Sequence, residues 1–146
     1  MKKFFSILLA MIMVFTGSIY AFAEEYYVDE ETVYLDNASY GTYRYYHNRT
    51  VSYEHVYEHD ITGARLGYGR VTVTYYYDGE DAYIDNYTKK AASEHPDYRV
   101  SVSVSEISTT RIRVTVTLVP LNGGSSTNTS FYVVVYPNGS ADRISC

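Results

Sequence analysis

The sequence predicts a single antiparallel all-β domain. It reads as a β-sandwich of about seven to nine short strands, with a partly open barrel as the alternative closure. Three observations lead there. Apolar and polar residues alternate with period two through residues 70–87, 99–119 and 131–146, so successive side chains fall on opposite faces of a strand. β-branched and aromatic residues fill these runs, as a pleated surface favours. Turn residues, Asp78-Gly79 and Asn138-Gly139 the clearest, punctuate them at regular intervals.

The first 23 residues stand apart from this pattern. Lys2 and Lys3 precede a mostly apolar run from Phe4 to Phe15, and Ala21-Phe22-Ala23 supplies a small-x-small cleavage pattern. Residues 1–23 therefore read as a helical secretory signal peptide, and the protein as secreted and extracellular. The run is short for a membrane span of about 20 residues. No later apolar stretch could cross a membrane, and no cysteine follows the run to carry a lipid.

Residues 24–40 form an acidic N-terminal leader. Glu24, Glu25, Asp29, Glu30, Glu31 and Asp36 all precede the next base, Arg44. A solvated leader with a short edge strand near Thr32 and Leu35 is expected. The β-sandwich domain spans residues 41–146. It opens with strands at 42–47 and 50–58, joined through Asn48-Arg49, with Tyr43 and Tyr45 on one face and Val51, Tyr53, His55 and Tyr57 together on another. Residues 60–69 form a loop in which Gly63, Gly67 and Gly69 mark a turn and a bulge.

The hairpin at 70–87 is the organising element. A two-residue or a four-residue turn at Asp78-Gly79 gives the same result: Val71, Val73, Tyr75, Ala82 and Ile84 share one face. The other face carries Thr72, Thr74, Tyr76, Tyr83, Asp85 and Tyr87. Residues 88–98 break the alternation. They predict a helical turn over Lys89 to Ser93, capped by Thr88 and stopped by Pro96, at the crossover between sheets.

A second hairpin at 99–119 matches Val100, Val102 and Val104 with Ile112, Val114, Val116 and Leu118 through an odd-length loop near Ser108 to Thr110. A polar connection at 121–128 leads to the third hairpin. Its Asn138-Gly139 turn places Phe131, Val133, Val135, Ile144 and Cys146 on the core face. The strand count has an immunoglobulin-like outline, an architectural likeness only. The cysteine pair and the tryptophan of antibody domains are both missing. The leader and the tyrosine-rich strands generally resemble small exported proteins of Gram-positive bacteria, which implies no activity.

Composition narrows the function classes. Formal net charge is −5, and loss of Lys2 and Lys3 with the signal peptide takes it to −7. That balance argues against nucleic-acid binding and against attraction to anionic lipid. There are 19 tyrosines and no tryptophan. Aliphatic residues alone would make a thin core, so many tyrosines must bury their rings while keeping the hydroxyl hydrogen-bonded. Cys146 is the only cysteine. It cannot close an internal disulfide and leaves a monomer or a Cys146-linked dimer.

No catalytic constellation emerges, and no metal or cofactor is expected. His55, Glu58 and His59 fit the H-x-x-E-H spacing of a zinc hydrolase. That chemistry needs a helix to bring the two imidazoles onto one metal. In a strand they lie roughly 13 Å apart. Asp78, Glu80, Asp81 and Asp85 cluster at the hairpin tip without the ordered spacing of a calcium loop. Five Asn-x-Ser/Thr triplets, at Asn37, Asn48, Asn86, Asn128 and Asn138, matter only in a host that glycosylates exported proteins. No G-x-S-x-G is present. The remaining candidate is a tyrosine-bearing sheet face, Tyr76, Tyr83 and Tyr87, contacting an extracellular protein or glycan. Rigid rings with polar tips give much contact area at small entropic cost.

Overall fold

The alternating runs become eight strands in the computed structural model, which describes residues 26–35 and 46–146. The expected signal peptide, Asn37, Tyr43 and Tyr45 lie outside the described residues. In chain order the strands are β1 (Tyr27–Tyr34), β2 (His47–Glu58), β3 (Arg65–Tyr77), β4 (Ala82–Ser93), β5 (Tyr98–Ser108), β6 (Arg111–Pro120), β7 (Thr127–Val135) and β8 (Ala141–Ser145). They form two four-stranded antiparallel sheets, ordered β1-β4-β3-β2 and β5-β6-β7-β8. One apolar cluster draws on both sheets, from Val71, Tyr75 and Ile84 to Val100, Val114 and Phe131. The arrangement is sandwich-like, with no closed barrel. Each sheet is filled by four consecutive strands, unlike the interleaved order of immunoglobulin domains.

The organising hairpin closes with the four-residue turn. Tyr77 pairs with Ala82 and Tyr75 with Ile84. Val71, Val73, Tyr75, Ala82 and Ile84 are all buried. The register then shifts: Thr74 pairs with Asn86, so Asp85 is an extra residue in β4. A bulge of one residue inverts the parity of everything beyond it. Tyr87 consequently faces the core opposite Val73, and not the outer side with Tyr76 and Tyr83.

Other expectations are corrected as well. Asn48-Arg49 is not a turn: both residues lie inside β2, paired with Tyr76 and Tyr75. Lys89 to Ser93 is strand, not a helical turn. Strand neighbours on both sides override its local preference, and Lys89 and Lys90 meet Glu31 and Glu30 of β1 at 2.6 and 3.9 Å. The crossover does fall directly after, between β4 and β5. The edge strand β1 is also longer than expected, beginning at Tyr27.

A further correction concerns β8. Val135 pairs with Ala141 and Phe131 with Ser145, so the turn spans residues 136–140. A two-residue turn at Asn138-Gly139 would ask Pro137 for a ladder N–H that it lacks. Instead Tyr136 donates to the Ser140 carbonyl at 3.0 Å and Gly139 to that of Tyr136 at 2.9 Å. The odd loop turns Ile144 outward, opposite Tyr132, and leaves Cys146 exposed. In the second hairpin the expected odd residue is Ile107, a bulge before Thr109-Thr110, and Val100, Val102 and Val104 meet Leu118, Val116 and Val114.

Gly69 sets the distance between the sheets. A Cβ there would stand 2.6 Å from methyls of Val102 and Val116. The missing side chain lets the second sheet's valines seat against the β3 backbone.

Candidate binding face

The outer face of the first sheet is built from the residues that alternate with the core. Strand neighbours sit about 4.8 Å apart, and same-face residues about 6.7 Å apart along a strand. The register therefore sorts the face into rows running across the strands. At the hairpin tip Tyr76 lies beside Asn48 and Tyr83. The Tyr76 and Tyr83 rings stack at 5.3 Å, and Tyr46 meets Tyr83 edge-on at 5.4 Å.

Two rows of uncharged polar groups follow. Thr50, Thr74, Asn86 and Tyr34 form the first, and Ser52, Thr72, Thr88 and Thr32 the second. The hydroxyls bond across strands: Thr50 to Thr74 at 3.1 Å, Ser52 to Thr72 at 2.8 Å, and Thr32 to Thr88 at 2.7 Å. Each hydroxyl carries one donor and two acceptor sites, so a bonded pair still offers hydrogen-bonding capacity outward. Beyond them comes a charged row, Glu54, Arg70, Lys90 and Glu30. Arg70 binds Glu54 at 2.6 Å, and Glu30 stands outside Lys90. Opposite charges at the flanks thus offset two cations that sit directly across from each other. The last row is Val56, Tyr68, Ala92 and Val28, where the guanidinium groups of Arg65 and Arg70 lie over the Tyr68 ring.

Of the sequence-predicted tyrosines, the structure brings Tyr76 and Tyr83 together and separates Tyr87 from them. Burial in the core, aided by the Glu106 carboxylate, raises the Tyr87 pKa above its usual value. Tyr53 and Tyr57 face inward too. The Tyr57 hydroxyl donates to the Val116 carbonyl at 2.8 Å. Burial, then Asp142, raises the Tyr53 pKa. Tyr46 and the hydroxyl rows were not singled out from sequence. Tyr46 shares parity with Asn48, Thr50 and Ser52, a signal hidden by placing a turn at Asn48-Arg49.

The H-x-x-E-H residues lie on no helix. His55 sits in β2 with its ring edge-on to Tyr57 at 4.7 Å. Glu58 ends that strand, and His59 Nδ1 accepts from the Ile61 amide at 3.3 Å in the following turn. Among the described residues no group of three His, Cys, Asp or Glu side chains is placed to hold a metal ion. Asp78 shapes the turn that it begins, its Oδ1 accepting from the Glu80 and Asp81 amides at 2.9 and 2.8 Å. An open cleft of about 530 Å³ lies at the other end of the sandwich, between Tyr57, Glu58, Leu66, Tyr98 and Leu118. No helix among the described residues is long and apolar enough to cross a membrane. No protein-family model, no curated protein and no solved structure matches the chain.

Proposed function

We propose that the protein is a secreted, non-catalytic binding module that holds an extracellular glycan or protein against the outer face of its first sheet. Tyr76 and Tyr83 are its aromatic contacts, and Tyr87, buried in the core, is not one of them. The observation that carries this reading is the adjacency of a stacked tyrosine pair to two rows of uncharged hydroxyl and amide groups. Aromatic rings supply apolar area, and neighbouring hydroxyls supply directional hydrogen bonds. That combination favours a glycan over a protein, whose recognition draws more on an apolar interface centre. The sandwich scaffold suits such binding because a paired sheet holds its side chains rigidly. Export rests on the signal-peptide pattern at residues 1–23.

Equilibrium binding to a panel of extracellular polysaccharides tests the reading. Tyr76→Ala and Tyr83→Ala should each weaken the best binder roughly tenfold, about 1.4 kcal/mol. Unchanged affinity in both variants would sink it. A second reading, a structural component that pairs through Cys146, is favoured by the exposure of that thiol. Comparing molecular size with and without reductant decides between a linked dimer and a monomer.

A further inference from the structure

The outer face of the second sheet carries positive charge that nothing on it balances, on a chain whose formal net charge is −5. Two rows of hydroxyl and amide groups fill its middle: Ser101, Thr117 and Asn128, then Ser103, Thr115 and Ser130. Arg99 stands in the row before them, Arg113 in the row after, and Arg111 one row further. In the first sheet Arg65, Arg70, Lys89 and Lys90 each meet a carboxylate. Among the described residues Arg99, Arg111 and Arg113 meet none. Arg99 lies over the Tyr27 ring, 4.4 Å from its centroid, and Arg111 over that of Tyr132 at 3.7 Å. The Arg111 Nε is buried there with no hydrogen-bond partner. Arg99 and Arg113 are exposed. The one acidic side chain in the outward rows of β5 to β8, Asp142, belongs to β8, two strands from Arg111.

We infer that this face binds an acidic polysaccharide laid along the strands, with its carboxylates on Arg99 and Arg113 and its ring hydroxyls on the serine and threonine rows between them. Three row steps separate the two arginines, about 20 Å, so a ligand that reaches both is extended. A guanidinium presents a planar fork that fits a carboxylate bidentately, and its weak hydration makes pairing inexpensive. Serine and threonine hydroxyls both donate and accept, as sugar hydroxyls do. Arg111 covers the Tyr132 ring, so the face holds its ligand by charge and hydrogen bonds and not by stacking. The same cover disfavours single-stranded nucleic acid, whose bases need open rings. Three arginines so widely spaced are also sparse beside the clustered cations of nucleic-acid surfaces. An acidic protein would seek an apolar centre, where this face has hydroxyls. The site is separate from the first face and does not depend on what that face holds.

Calorimetric titration with oligogalacturonate tests this, with a polyol phosphate oligomer and single-stranded DNA as competing anions. The parent should bind oligogalacturonate more tightly than either, and the affinity should fall as salt rises from about 50 to about 300 mM. Arg99→Gln with Arg113→Gln should weaken binding roughly tenfold, and Arg113→Gln alone roughly threefold. Tyr76→Ala with Tyr83→Ala should leave the affinity within about twofold, because those rings lie on the other sheet. No binding by the parent, or an affinity unchanged in both arginine variants, would overturn the proposal. Tighter binding of the phosphate polymer or of DNA would overturn it too. So would loss of oligogalacturonate binding in the tyrosine variant, which would place the acidic ligand on the first face. The first-face reading is decided separately, by the tyrosine variants, so it survives a failure of this one.

Discussion

Tyr75 shows at the residue scale how a phenol serves this core. Its ring is completely buried, and its hydroxyl donates to the Gly139 carbonyl at 2.7 Å. Burial raises its pKa, while Arg49 pulls in the opposite direction. Arg49 Nη1 also reaches the Gly139 carbonyl, at 3.0 Å. Tyr75→Phe therefore leaves that carbonyl with a partner, and should cost about 0.5–1 kcal/mol in urea unfolding. A loss above about 3 kcal/mol would mean that the hydroxyl organises more than one turn. His55 carries a pH prediction. Burial, then the Arg143 charge, lowers its pKa below the ordinary 6.5. The unfolded chain thus takes up a proton more readily, and stability falls as pH drops through about 6.5 and below. The melting temperature should decline between pH 7 and 5, and His55→Gln should flatten that decline.

At the scale of the element, one residue decides which way a strand faces. Asp85 is the extra residue of β4, and it is why Tyr87 is in the core. Deleting Asp85 would make Tyr75–Ile84 and Thr74–Asn86 consecutive pairs, removing the bulge while keeping Asn86 outward and Tyr87 inward. Unfolding should therefore stay cooperative with a cost below about 3 kcal/mol, and a collapse of the transition in urea would show that the bulge itself is required. β1 makes the opposite point. It is an edge strand with acidic residues on both faces, which discourages a further strand from adding to it. Its Glu31 accepts a hydrogen bond from Lys89, whose pKa is raised chiefly by that contact. The Glu31 side chain is largely in water, so Glu31→Gln should cost at most about 1 kcal/mol. A larger loss in melting experiments would show that β1 docking depends on this pair.

Across the whole molecule, the two sheets are coupled where β3 has no side chain. Gly69→Ala would push its Cβ into Val102 and Val116. It should destabilise by about 1–3 kcal/mol through overpacking. Pairing it with Val102→Ala should recover part of the loss, since the two changes share one space.

The amino-acid order alone determined the all-β class and the inner face of the main hairpin. It also matched the apolar faces of β5 and β6. These are local properties: side-chain period is two wherever a chain is extended, and Val71, Val73, Tyr75, Ala82 and Ile84 obey it under either turn length. It also placed Tyr76 and Tyr83 together on the outer side. The tertiary structure decided the rest. A bulge at Asp85 and a five-residue turn at 136–140 each shift parity by one, and that single step moves Tyr87 inward and Ile144 outward. The hydroxyl rows exist only because distant strands align, Thr32 with Thr88 and Thr72 with Ser52. Pairing partners are chosen by burial over the whole sheet, and a chain read one stretch at a time carries no record of that choice.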